Sequence, residues 1–156
     1  MAVVVYLLIG LFIAWKAYSS YELGRRSDEL LATIREGLPV ENASVGLFSL
    51  TDPIAPDAAY FCVLGGYSTA ASVEPLDRAH FPLGGWSAED MVAEGSVVIV
   101  LANNKLEVLQ TFELRRHELD GLGYGRCYQR QDEPVLLRED KSGATTWSIR
   151  SKKTAT

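Results

Sequence analysis

The chain has 156 residues, 47% of them hydrophobic and 22% charged, a balance that places it among globular proteins and outside the disordered class. Its 20 acidic and 15 basic side chains give a formal net charge of −5. That is the opposite of what phosphate neutralisation needs, so nucleic acid is not an expected partner. The basic residues occur in short pairs, Arg25 with Arg26, Arg115 with Arg116 and Lys152 with Lys153, and read as solvated surface.

From Ala2 to Trp15 the sequence AVVVYLLIGLFIAW carries no charge. A run that is apolar on every helical face predicts a transmembrane anchor over residues 1–21, with residues 2–18 in the membrane. The run is short for a hydrocarbon core of ~30 Å, so spanning requires Lys16 to snorkel and Tyr18 and Tyr21 to lie at the interface. A cleaved signal peptide fits less well, because the basic residues follow the apolar run instead of preceding it. A buried core element fits less well too, because the segment has no polar face. Lys16, Arg25 and Arg26 lie just after the run, which predicts a single pass oriented N-out, C-in, with a cytoplasmic soluble domain. Both thiols stay reduced in that compartment, and the sequon Asn42-Ala43-Ser44 has no meaning there.

A juxtamembrane helix is expected over residues 22–40, with Ser27 as N-cap, Leu30, Leu31, Ile34 and Leu38 at helical spacing, and Gly37 and Pro39 as terminators. Gly24 weakens continuity between this helix and the anchor. A soluble α+β domain then fills residues 41–150. Its strand signals begin with Val45 to Leu50 and Tyr60 to Leu64, separated by a loop carrying Pro53 and Pro56. A long glycine- and proline-rich stretch from Ser68 to Trp86 follows. Ser87 to Asp90 resembles the capped start of a short helix closed by Gly95.

The clearest element is a hairpin. Val97 to Leu101 is a continuous β-branched run, and Leu106 to Leu114 alternates so that Leu106, Val108, Phe112 and Leu114 share one face. Asn103 and Asn104 supply the positive φ that a tight turn needs. Tyr124 to Arg130 reads as another strand, and Val135 to Arg138 with Thr145 to Arg150 as a second hairpin. The whole reads as an antiparallel sheet of five to seven strands with two short helices, followed by a disordered tail over residues 151–156.

No metal, cofactor or catalytic signature stands out. The string Gly121-Leu-Gly-Tyr-Gly125 lacks the Lys-Ser/Thr of a phosphate loop and reads as a turn. His80 and His117 have no ligand spacing. Cys62 and Cys127 form no CxxC and are expected as free buried thiols. In an oxidising compartment they would pair across roughly 65 residues, a link worth on the order of 4 kcal/mol in the chain-entropy model. Tyr67, Phe81 and Trp86, set among glycines in the long middle stretch, are the candidate partner-binding residues. The expectation is a membrane-tethered, non-enzymatic interaction domain, a subunit or regulator of a membrane-associated assembly, of which an immunity or inhibitor protein is one form. The alternative is a small anchored enzyme using Cys62 or a histidine, with Cys127 and Asp77 as further candidates for the site.

Overall fold

The computed structural model describes residues 2–37, 45–49, 56–82, 86–119, 121–141 and 143–151. One helix, α1, runs unbroken from Ala2 to Gly37, 36 residues or about 54 Å at ~1.5 Å per residue. It merges what the sequence divides into anchor and juxtamembrane helix. Gly24 sits on an open stretch of helix surface, where a glycine costs ~1 kcal/mol relative to alanine. The Arg25–Glu29 pair, one turn apart, and the docked residues that follow offset that cost.

Ser27 is not an N-cap. It lies in mid-helix, 5% exposed, and its Oγ accepts a hydrogen bond from the Glu113 amide at 3.1 Å. A small hydroxyl there lets α1 approach a strand and satisfy one of its backbone donors. The predicted stripe Leu30, Leu31 and Ile34 is buried, and the helix ends at Gly37 as expected; Leu38 and Pro39 fall outside the described residues. Among the described residues, no helix is long and apolar enough to cross a membrane, so the span expected over residues 1–21 is not shown.

Seven strands are described: β1 Val45–Ser49, β2 Tyr60–Gly65, β3 Ser96–Ala102, β4 Val108–Arg115, β5 Arg126–Gln129, β6 Pro134–Lys141 and β7 Ala144–Ser151. The single expected sheet is in fact two antiparallel sheets, ordered β4-β3-β2-β5 and β1-β6-β7. Ser151 closes β7, so the expected tail loses its first residue to the sheet; residues 152–156 lie outside the described part.

The four-stranded sheet is covered on both faces. Phe61, Val63, Val97, Ile99, Leu101, Phe112 and Leu114 meet α1 and the apolar side of the three-stranded sheet, represented by Leu136 and Ile149. Cys62, Leu64, Val98 and Val100 point the other way, onto Ala70, Val73, Leu76 and Val92 of the long connection between β2 and β3. Burial on both faces is why β2 and β3 read as continuous apolar runs, whereas β4 alternates between buried and exposed positions.

One face assignment changes. Leu101 pairs with Gln110 but Ala102 pairs with Val108, a bulge that skips Leu109. Val108 therefore leaves the face of Phe112 and Leu114 and joins the second core, and Leu109 turns to solvent. In the turn between β3 and β4 the positive φ falls on Leu106 instead of on an asparagine. Asn103 works through its side chain, whose Oδ1 accepts the amides of Lys105 and Glu107 at 2.9 and 3.0 Å.

The helix expected from Ser87 does not form. The Ser87 amide donates to the Asp90 carboxylate at 2.7 Å, so the helix-start residues close a local turn instead. The short 3₁₀ turns Ala70–Ser72 and Leu76–Arg78 are the only regular structure described between β2 and β3.

Candidate functional site

The glycine pair Gly65-Gly66 ends β2 and lets the chain turn sharply toward residues 91–94. A Cβ on Gly66 would lie 3.3 Å from the Ala93 carbonyl oxygen, a close approach that favours glycine. Tyr67 follows at φ 66°, the left-handed region that few non-glycine residues occupy. Its amide donates to the Val92 carbonyl at 2.9 Å, and the Val92 amide donates back to the Ser68 carbonyl at 3.0 Å. This reciprocal pair brings Tyr67 and Met91, 67% and 64% exposed, onto adjacent backbone segments. The Tyr67 hydroxyl hydrogen-bonds to Glu94, which raises the phenol pKa above its ordinary value, with desolvation adding to the effect.

Phe81 and Trp86 behave differently from Tyr67. Both are half-buried against the second core, with ring centroids 5.8 Å apart in an edge-on contact. They hold the long connection against β2 and β3. Of the three predicted partner-binding residues, Tyr67 alone is offered to solvent. Met91 and Glu94 complete the exposed group, and neither stands out in the sequence, since their nearness to Tyr67 depends on the backbone pairing of residues 67–68 with residue 92.

The second exposed surface is the first half of α1. Tyr6, Leu7, Leu8, Ile9, Leu11, Phe12, Ile13, Trp15 and Tyr18 are each between 47% and 75% exposed. Successive residues around a helix point in every direction, so this is an apolar cylinder without a polar side.

Of the residues weighed for catalysis, Cys62 and Cys127 are brought together, while the two histidines lie at opposite ends of β4. Cys62 is fully buried and disulfide-bonded to Cys127, which replaces the two free thiols of the expectation. His80 pairs with Glu107 at the start of β4, while His117 lies in the 3₁₀ turn after its end, roughly 25–30 Å away at ~3.4 Å per strand residue. Asp77 is exposed and pairs with Arg78. No group of three or more His, Cys, Asp or Glu residues suited to a metal occurs among the described residues. The glycine string is a turn leading into β5: Gly121, at φ 91°, lets the chain lie against the Trp147 carbonyl, 3.1 Å from where a Cβ would sit.

A polar cavity of about 360 Å³ opens between α1 and the bulged end of β4, lined by Arg25, Arg26, Glu29, Thr33 and Gln110 among others. Glu29 pairs with Arg25 within it. Comparison with known protein families, curated proteins and solved structures returns no match.

Proposed function

We propose that this chain is a membrane-tethered interaction protein, in which the apolar half of α1 enters a bilayer and the folded body presents a protein-binding surface around Tyr67. The observation that carries the reading is the division of α1. Its C-terminal half buries one stripe, Leu30, Leu31 and Ile34, in the core, while its N-terminal half exposes large apolar side chains on all sides. Lipid is the environment that satisfies a helix of that kind, because the backbone is already paired and every face is apolar. Extending the uncharged run through Lys16 to Tyr21 gives ~30 Å of helix, provided that the lysine amine snorkels to the headgroups. The paired segment holding Tyr67 and Met91 supports the second part, since a fixed aromatic beside a flexible thioether makes a compact, adaptable contact.

The competing reading, an enzyme built on Cys62, loses its nucleophile to the disulfide. A membrane-associated protein is the partner class this surface fits, which makes the chain a subunit or regulator of an assembly.

The test is flotation of the full chain with phosphatidylcholine–phosphatidylglycerol vesicles. Wild type should rise with the vesicles, and Leu8→Lys should weaken partition by about two orders of magnitude, because a lysine at mid-span costs ~3 kcal/mol. Wild type remaining at the bottom of the gradient would end the tether reading. In the same membranes, Tyr67→Ala with Met91→Ala should release a bound partner without changing the melting of the body; retention of the partner would move the contact elsewhere.

A further inference from the structure

We infer that the body of this protein folds outside the cytoplasm, in an oxidising compartment, with Cys62 and Cys127 joined as a structural disulfide, so that the Tyr67 surface meets a partner of the cell envelope or exterior. The membrane reading above supplies only what holds the body in place; the compartment rests on the two sulfurs.

The cysteines are 65 residues apart and come together only through strand register. β5 pairs with β2 so that Tyr60 faces Gln129, Phe61 faces Tyr128, Cys62 faces Cys127 and Val63 faces Arg126. The Cα atoms of the two cysteines are 4.0 Å apart, and both side chains emerge on the face covered by the β2–β3 connection. These are the chain's 2 cysteines, and neither is left free. The bond fastens a strand of 4 residues at the edge of its sheet, where β2 is its only strand neighbour among the described residues. A short edge strand contributes few ladder bonds, so a covalent clamp has most to add there.

A catalytic or sensing disulfide would need a sulfur that another thiol can reach. Cys62 is 0% exposed and packs in the same cluster as Leu64, Val98 and Val100, with Cys127 partly buried against that cluster, so the Cys62 sulfur is closed to exchange on the folded protein. The bond is structural, and an oxidant reaches the Cys62 thiolate before Ala70, Val73, Leu76 and Val92 close over it. In that step a Cys62 or Cys127 thiolate attacks the disulfide of a thiol–disulfide oxidant. The resulting mixed disulfide is then displaced by the second cysteine. The protein loses two thiol protons and two electrons, and the oxidant leaves as a dithiol. Compartments that supply such oxidants are extracytoplasmic, whereas the cytosolic thiol pools hold cysteine pairs reduced.

This orientation is the reverse of the one that Lys16, Arg25 and Arg26 suggest. The two arguments differ in kind. Flanking charge biases insertion, and acidic neighbours such as Glu22, Asp28 and Glu29 count for little in it. A reducing pool, in contrast, acts on every cysteine pair during folding. With the sulfurs deciding, α1 crosses with its N-terminal end inside, and the body is delivered outside.

The experiment uses the full chain in the cells that make it. Thiols are trapped by acid quenching and alkylated under denaturing conditions; the protein is then reduced and treated with a mass-tagged maleimide. The expected result is no alkylation in the first step and a gain of two mass tags after reduction. Alkylation of both cysteines without reduction overturns the inference. A second measurement places one cysteine after Thr156 in a Cys62→Ser, Cys127→Ser background and applies a membrane-impermeant maleimide to intact cells. Labelling before lysis supports the inference, and labelling only after lysis overturns it. A disulfide-bonded protein recovered free in the medium would uphold the oxidising compartment while removing the tether, which separates this failure from that of the reading above.

Discussion

The two halves of α1 share one unbroken helical backbone and nothing else. Beyond Ser27 the helix buries Leu30, Leu31 and Ile34 in a stripe and leaves Asp28, Glu29, Ala32 and Glu36 outside, as an amphipathic helix on a protein core does. Before Trp15 apolar residues occupy every position and none of the described ones is buried. Backbone continuity therefore says nothing about environment; the angular spread of apolar side chains does.

Substitution in the two halves tests that contrast, and the largest effect belongs to the docked half. Ile34→Ala should cost about 2–5 kcal/mol of unfolding free energy, because Ile34 lies in the main core among strand residues of both sheets. Leu8→Ala, a change of similar volume, should stay within roughly 0.5 kcal/mol by denaturant titration. Equal losses at the two positions would mean that the first half of α1 is packed on the body.

An intermediate effect comes from the junction. Ser27→Ala removes the acceptor for the Glu113 amide and should cost about 1–3 kcal/mol. Amide exchange at Glu113 should speed up in step; unchanged protection would show that the strand finds another acceptor.

The smallest effect lies at the Asp140–Thr145 end of the β6–β7 hairpin. The Thr145 hydroxyl donates to Asp140 at 2.6 Å and Arg138 lies 2.9 Å from the other oxygen. The Thr145 hydrogen bond, against some desolvation and with help from Arg138, holds the Asp140 carboxyl below its usual pKa. A depressed folded-state pKa gives stability that is present above the unfolded value of ~3.9 and is lost as pH falls through the lower, folded value. The hairpin tip should thus loosen only below the ordinary carboxylate range. An NMR titration of the Thr145 amide that tracks the usual aspartate pKa would refute this.

Much of the body was legible because its signals are local. β3 announces burial on both faces by its unbroken apolar run, β4 shows the alternation of a half-buried strand, and the polar turn between the apolar start of β6 and β7 marks a hairpin. What stayed hidden depends on long-range pairing. That β1 joins β6 and makes a second sheet has no signature in either segment, because register is set by partners far away in sequence. The same holds for Cys62 facing Cys127. Ser27 and Ser87 were misread for a different reason. A small hydroxyl caps a helix, fits a close packing contact or joins a side-chain turn equally well, and neighbouring residues do not say which. Among the site residues, aromatic type alone did not distinguish Tyr67, which is exposed, from Phe81 and Trp86, which face the core. Backbone strain at Tyr67 marks the difference, and strain is visible only in three dimensions.

The unbroken passage of α1 through Gly24 makes the helix a rigid shaft. Each helical residue advances the axis by ~1.5 Å and turns it by about 100°. The number of residues between Trp15 and Ser27 therefore sets the rotational phase of the body against whatever grips the first half, as well as its height. One residue inserted at Gly24 would leave every contact in the body intact, yet swing Tyr67 more than a quarter turn around the axis.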